Sequence, residues 1–177
     1  PIWSAAAAIP TVLAIGTAFG ASMGWLIQRF RLQPFIVTLA GMFLARGLCY
    51  LISIDSISIT DATYTAISQA RLPLGAGASI TAGALIALVT LAAGVWLAHA
   101  TEFGRTVYAI GGNEASAVLM GLPVARTTIL VYTFSGFCSA LAGIVFTFYM
   151  LSGYGLHAVG MELDAIAAVV IGGTLLS

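Results

Sequence analysis

The chain of 177 residues is 60% hydrophobic and 7% charged, with six arginines, no lysine and zero net charge. A soluble globular domain carries about 25% charged residues, so this composition excludes a water-soluble domain and indicates a membrane protein. The balanced charge argues against nucleic-acid binding. Without lysine the chain also lacks the GxxxxGK[ST] phosphate loop, which excludes an ATP site of that kind.

Four apolar stretches are long enough to cross a bilayer, which takes about 20 residues in a helix. They are, in chain order, Trp3–Ile27, Pro34–Ile54, Ser79–Ala98 and Thr127–Leu151. A fifth apolar run, Ala165–Leu176, is too short to span and predicts a re-entrant segment or part of a further span. The pattern predicts an all-α, polytopic bundle of transmembrane helices. We interpret the chain as a fragment of a longer membrane protein, because both ends run directly into apolar sequence.

Small residues recur at four-residue spacing in the first and fourth spans. The sets are Gly16, Gly20 and Gly24 in the first span, and the pairs Gly136/Ala140 and Ser139/Gly143 in the fourth. Small residues at this spacing allow two helix backbones to approach closely. The spacing therefore predicts that these spans pack against other helices.

Arg46 is the only charged residue well inside a predicted span. It follows Phe35 by eleven residues, or about 16 Å along a helix axis, which places it near the bilayer centre. A charge at that depth is costly unless it is paired or hydrated. Two interpretations stay open: Arg46 lines a polar pathway, or it pairs with a carboxylate or with backbone carbonyls of another helix.

Glu162 and Asp164 lie in the string GMELDAIAAVVIGG, near a predicted membrane surface. Carboxylates favour the first turn of a helix, where they offset the positive end of its dipole. They could also accept hydrogen bonds from a polyol. Together with Arg46 they are the candidate residues of a translocation pathway.

Arginine placement sets the predicted orientation, because cytoplasmic loops carry an excess of basic residues. The loops 28–33 and 99–126 each hold two arginines, whereas the loop 55–78 holds one. The sequence therefore predicts that residues 28–33 and 99–126 are cytoplasmic. By alternation, residues 55–78 and 152–164 face the outside.

The segment His99–Arg126 is a polar island between apolar spans, and it must project into water because its polar groups would be unsatisfied in hydrocarbon. Asn113 is suited to cap the N-terminus of a helix, and Gly121 and Pro123 are suited to end it. The segment thus predicts one short helix, Glu114–Met120, held at the membrane surface. A membrane protein that offers such a helix to water suggests mechanical coupling to a partner.

Other chemistry has weaker support. The two histidines, His99 and His157, have no ligand partners at metal spacing, so no metal or cofactor is expected. An intramembrane hydrolase would need Ser135 or Ser152 beside a histidine, but serine next to glycine is ordinary in packed helices. A non-transporting membrane scaffold is the other alternative to a coupled transport subunit.

Three stretches carry a resemblance to a known family: PFIVTLAGMFLARGLCYLIS, TEFGRTVYAIGGNEASAVLMGLPVARTTILVYTFSGFCSALAGIVF and GYGLHAVGMELDAIAAVVIGGTLLS. They resemble the inner-membrane permease subunits of bacterial sugar ABC transporters of the ribose and galactofuranose type. The resemblance covers nearly the whole chain and is greatest to the second permease subunit of galactofuranose transporters. Members of the family carry further spans before and after this region.

The resemblance implies that residues 1–177 form part of a transmembrane permease domain, with a cytoplasmic coupling loop at about 99–126. It implies a subunit of an ATP-driven sugar importer in the inner membrane, without a nucleotide site of its own. The implied partners are a cytoplasmic ATPase subunit, a second permease subunit and a periplasmic sugar-binding protein, with lipid around the spans. The short helix would enter an ATPase groove. The candidate coupling residues are Asn113, Glu114, Ala117, Met120 and Gly121.

Overall fold

The computed structural model describes residues 5–60, 62–75, 78–155 and 157–173. Helices dominate them: α1 Ala5–Phe30, α2 Pro34–Ile52, α3 Ala62–Gln69, α4 Ala82–Ala100, α5 Glu102–Gly112, α6 Glu114–Leu119, α7 Val124–Met150 and α8 Met161–Ile171. The strands are short: β1 Ile57–Ser58, β2 Arg71–Gly75, β3 Ala78–Thr81 and β4 Ser152–Gly153. The predicted all-α, polytopic fold is confirmed.

Four helices, namely α1, α2, α4 and α7, are long and apolar enough to cross a membrane. They correspond to the four predicted spans, with small differences at the ends. The segment Ser79–Thr81 belongs to β3, and Thr81 caps α4 by accepting a hydrogen bond from the backbone N–H of Ala84. The fifth apolar run lies in α8, which has 11 residues and is too short to span. The predicted start at Trp3 and end at Leu176 lie outside the described residues.

The close packing of α1 against α7 organises the bundle. The two helices run antiparallel: Gly16 faces Ala140, Gly20 faces Gly136, and Gly24 faces Ile129. Gly20 and Gly24 are buried. The prediction that the first-span glycines and the pair Gly136/Ala140 serve packing is therefore confirmed.

The contact leaves no room for side chains at the crossing. A Cβ atom added to Gly136 would lie 2.9 Å from the Cα atom of Gly20, and one added to Gly24 would lie 2.9 Å from the Cα atom of Ile129. The other predicted pair behaves differently, because a Cβ atom at Gly143 would meet nothing within 4 Å. The prediction of close packing at Ser139 and Gly143 was wrong: these residues lie outside the α1 crossing.

Helix α2 packs on α1 through Gly41. A Cβ atom at this position would lie 3.0 Å from the sulfur of Met23, so the glycine admits the methionine side chain. Val37 is buried one turn earlier in α2.

The antiparallel crossing places the α1–α2 loop at the same end of the bundle as the segment between α4 and α7. At the opposite end, β1 pairs antiparallel with β4, with Ile57 opposite Gly153 and Ser58 opposite Ser152. The predicted alternation of loops between two sides agrees with this arrangement. Which side is cytoplasmic stays a prediction.

The loop between α2 and α4 contains ordered elements that were not predicted from the sequence. These are the short helix α3 and the antiparallel hairpin β2–β3. Helix α3 packs on α7, where the rings of Tyr64 and Phe148 lie 4.9 Å apart. The segment has few apolar residues in helical order, so its helix depends on this tertiary contact rather than on its own pattern.

Most large apolar side chains of the described residues point outward. The buried hydrophobic residues are Ile27, Val37, Ala117, Val124, Ile144 and Phe148. Leu51 and Ile52 at the end of α2 are 83% and 80% exposed. In water such a surface would aggregate; in a bilayer it contacts lipid or further helices.

We predict that a methyl group added at the crossing destabilises the protein. The change Gly136→Ala should lower the melting temperature, because overpacking costs about 1–3 kcal/mol. The matched control is Gly143→Ala, seven residues further along α7, which should leave the melting temperature unchanged or raise it, since Ala favours helix over Gly by about 1 kcal/mol. Thermal unfolding of both full-length variants in detergent measures this. Equal melting temperatures would refute the close crossing.

Candidate functional site: a capped segment and an ion pair at opposite ends

The polar segment between α4 and α7 contains two helices, α5 and α6, whereas its sequence predicted one. Thr101 joins α4 to α5. Its hydroxyl donates a hydrogen bond to the carbonyl of Leu97 at 2.6 Å and accepts one from the backbone N–H of Gly104 at 3.2 Å. One side chain thus ends one helix and caps the next.

Helix α5 folds back tightly onto α4. Gly104 is buried, and a Cβ atom there would lie 2.6 Å from the carbonyl oxygen of Leu97, so this turn requires glycine. The rings of His99 and Tyr108 lie 5.8 Å apart across the turn. A sequence signal for α5 exists: Phe103, Val107 and Ile110 follow the i, i+4, i+7 pattern of an amphipathic helix.

Asn113 lies between α5 and α6, where it is the C-cap of α5 and the N-cap of α6. Its backbone N–H donates to the carbonyl of Ala109 at 3.2 Å, and its side-chain oxygen accepts from the backbone N–H of Ser116 at 2.8 Å. The predicted N-cap is confirmed. Glu114 follows in the first turn of α6, where its negative charge interacts favourably with the positive end of the helix dipole.

The end of α6 is a Schellman motif. The N–H of Leu122 donates to the carbonyl of Ala117 at 3.1 Å, and the N–H of Gly121 donates to the carbonyl of Val118 at 3.0 Å. Gly121 has φ +75°, a conformation that favours glycine. The helix ends at Leu119, with Met120 as its cap, one residue earlier than predicted.

One side of α6 is buried against the bundle and the other is exposed. Ala117 is fully buried, so its predicted role as a direct partner contact was wrong: it anchors the helix to the bundle. Val118, Leu119 and Met120 are 57%, 88% and 67% exposed. They form an apolar patch at the end of a rigidly capped helix, and we call these three residues the α6 patch.

Arg46 and Glu162 form an ion pair near the other end of the bundle. The Arg46 Nη2 atom lies 2.7 Å from Glu162 Oε1, and Glu162 Oε2 accepts a hydrogen bond from the backbone N–H of Gly160 at 3.1 Å. Of the two interpretations left open for Arg46, the structure shows the pair with a carboxylate of another helix. The Asp164 carboxylate forms no hydrogen bond or ion pair within the described ranges, although its backbone N–H donates to the carbonyl of Gly160 at 3.4 Å.

This pair is the main attachment of α8. Every residue of α8 other than Glu162 is exposed. The pKa of Glu162, which lies outside the four spanning helices, is below its usual value. Hydrogen bonding from its own backbone N–H is the largest cause of the lowering, and Arg46 and the Gly160 amide add to it against partial desolvation. The carboxylate therefore loses its charge at a lower pH than an ordinary glutamate does, and the ion pair persists correspondingly further into acid.

The hydrolase alternative gains little from the geometry. Ser152 Oγ lies 3.5 Å from His157 Nε2, which is longer than the about 2.6–3.2 Å typical of an activated nucleophile and its base. The His157 ring contacts Phe146 and Tyr154, which are aromatic rather than acidic neighbours.

Comparison with known proteins defines the class. A family model described as branched-chain amino acid transport system / permease component matches residues 2–177. The chain belongs to this family of membrane permeases. Its four apolar helices and its family make it a multi-pass protein of the inner membrane.

Individual relatives show which permeases of this family the chain is similar to. The chain is 51% identical over 170 residues to the inner membrane ABC transporter permease protein YjfF of Escherichia coli (strain K12), covering 96% of this chain and 51% of the relative. It is 45% identical over 172 residues to the fructose import permease protein FruG of Bifidobacterium longum, covering 94% and 51%. It is 36% identical over 174 residues to the ribose import permease protein RbsC of Escherichia coli (strain K12), covering 98% and 54%. The chain thus spans about half the length of these relatives, and no solved structure matches it.

We predict that the ion pair fastens α8 to α2. Glu162→Gln should lower the melting temperature of the full-length protein, because it leaves Arg46 without its counter-charge. The matched control is Asp164→Asn in the same helix, which should leave the melting temperature nearly unchanged, because the Asp164 carboxylate has no ion-pair partner within the described residues.

The charge-reversed double variant Arg46→Glu, Glu162→Arg tests whether the pairing itself matters. It should recover part of what each single reversal loses, as a double-mutant cycle reports. Additive losses in the double variant would show that the two residues act independently.

Proposed function

We propose that this chain is part of the permease subunit of an ATP-driven sugar importer and couples the membrane spans to a separate ATPase. The observation that carries the proposal is the capped α5–α6 segment, with its exposed apolar patch, in a chain of the permease family. Relatives named as fructose, ribose and L-arabinose permeases support sugar as the cargo class.

The proposal requires partners that supply energy and substrate. Because the chain has no phosphate loop, ATP hydrolysis belongs to a cytoplasmic ATPase subunit. A periplasmic binding protein delivers the sugar. A second permease subunit, identical or different, completes the pathway and covers apolar surface that the described helices leave exposed.

Coupling runs through α6 in this proposal, with residues 99–126 on the cytoplasmic side. The α6 patch enters a groove of the ATPase, and Glu114 pairs with a basic residue there. Asn113 and Gly121 fix the two ends of the helix, and buried Ala117 ties it to the bundle. A movement of the groove is then passed to α7 rather than absorbed in a flexible loop.

The cargo we propose is a monosaccharide, because three relatives are named for the import or transport of fructose, ribose and L-arabinose.

The cargo is tested by ATP hydrolysis of the full-length permease assembled with its ATPase and binding protein. A panel should contain ribose, arabinose, fructose and galactose, together with leucine, isoleucine and valine because the family description names amino acids. We expect one of the sugars to stimulate hydrolysis and uptake. Stimulation by a branched-chain amino acid alone would overturn the proposal.

We predict that a charge in the α6 patch uncouples the transporter. Leu119→Glu should reduce uptake on the order of thirtyfold, the effect of losing an interface anchor worth about 2 kcal/mol, while the spans remain folded. The control is Ala125→Glu, which places the same charge on an exposed position at the start of α7 and should transport normally. Uptake and ATPase rates of both variants decide the matter: equal activity would remove the α6 patch from the coupling contact.

A further inference from the structure

A cleft lies at the end of the bundle opposite α6. It has a volume of about 780 Å³, within the range of about 300–1,000 Å³ typical of small-ligand sites. The end of α2, the C-terminal half of α7, β4 and the start of α8 enclose it. Its lining includes Asp55, Ser139, Gly143, Phe146, Tyr154 and His157. We call it the outer cleft, after its predicted side of the membrane.

Three aromatic rings form one wall of the outer cleft. The His157 ring packs against Phe146 at 5.4 Å and an angle of 65°, and against Tyr154 at 5.3 Å and 85°. These are edge-to-face contacts of the kind that fix ring orientation. All three side chains are half-buried, so they hold a stable surface that is still open to the cleft.

Unused hydrogen-bonding groups lie beside this wall. The carboxylate of Asp55 and the hydroxyls of Ser139 and Tyr154 form no hydrogen bond within the part of the chain that the structure describes. Glu162 also borders the cleft, but its carboxylate is occupied by Arg46 and the Gly160 amide. The free groups are one anionic acceptor and two hydroxyls, without a free guanidinium among the described lining residues.

The α7 wall is made of small residues. Ser139, Ala142 and Gly143 border the cleft, and a Cβ atom at Gly143 would meet nothing within 4 Å. The small pair that does not pack against α1 therefore leaves open space here. Because no atom of another described helix comes within 4 Å of a Cβ atom at Gly143, Ser139 and Gly143 border a cavity instead of a helix crossing.

We propose that the outer cleft is a binding site for the transported sugar, an assignment that rests on the proposed function. A neutral monosaccharide offers C–H faces that pack on Phe146, Tyr154 and His157, and hydroxyls that donate to the Asp55 carboxylate in charge-assisted hydrogen bonds. Ser139 and Tyr154 complete the polar contacts. An amino acid fits less well, because its carboxylate would face Asp55 while the nearby guanidinium of Arg46 is held by Glu162.

Filling the cleft tests the assignment without disturbing a packed contact. In the full-length assembly, Gly143→Leu should reduce sugar uptake at least tenfold while the melting temperature and membrane insertion stay unchanged. The control is Gly94→Leu in α4, which makes the same change at a glycine that also has nothing within 4 Å but lies away from this cleft. Full uptake by Gly143→Leu would overturn the proposal.

The native cysteines provide a direct readout, because Cys49 lines the outer cleft and Cys138 lines a separate groove beside α4. With Cys138→Ala, a membrane-impermeant thiol reagent added outside should modify Cys49, and the transported sugar should slow this reaction. With Cys49→Ala, sugar should not alter labelling of Cys138. Labelling of Cys49 that is absent or insensitive to sugar would overturn the site.

The outcomes separate this site from the proposed function. Sugar uptake by the wild type together with normal uptake by Gly143→Leu rejects the outer cleft alone. Failure of the wild type to transport any sugar rejects the proposed function and, with it, this assignment.

Discussion

The close approach of α1 and α7 is the contact on which the rest of this structure depends. In a bilayer, helices gain little from hiding apolar side chains, because lipid is equally apolar, and association depends on packing. Gly20 and Gly136 bring the two backbones together at a distance that excludes any side chain. The antiparallel crossing then fixes which loops share an end. The α6 patch at one end of the bundle and the outer cleft at the other both take their position from this pair of helices.

Helix α7 connects those two sites. It begins at Val124, just after the Schellman motif that ends α6, and it ends at Met150, beside the outer cleft. Its 27 residues extend about 40 Å. A rigid cap at one end and a cleft at the other allow a displacement of α6 to alter the cleft without bending the helix. In the proposed importer, nucleotide-driven movement would reach the sugar in this way.

Local signals in the sequence predicted the features that depend on neighbouring residues. Hydropathy predicted the four spans. Four-residue spacing predicted that the first and fourth spans pack closely against other helices, though not that they pack against each other. Asn113 and Gly121 predicted the limits of α6. Features that depend on residues far apart in the sequence could not be predicted from local patterns. The partner of Arg46 is 116 positions away, the burial of Ala117 depends on how α6 docks, and Gly143 borders a cavity although its spacing is that of a packed helix.

The central claim is that α6 moves with the α1–α7 frame. Spin labels at Ser116 in α6 and Ser22 in α1, both exposed positions, report the distance between them in the full-length protein assembled with its proposed ATPase. Double electron–electron resonance should give the same distance in the nucleotide-free and ATP-trapped states, while the distance from Ser116 to a label on the ATPase groove also stays constant. A change between Ser116 and Ser22 of about one helical turn, about 5.4 Å, would show that α6 moves independently and would contradict the account.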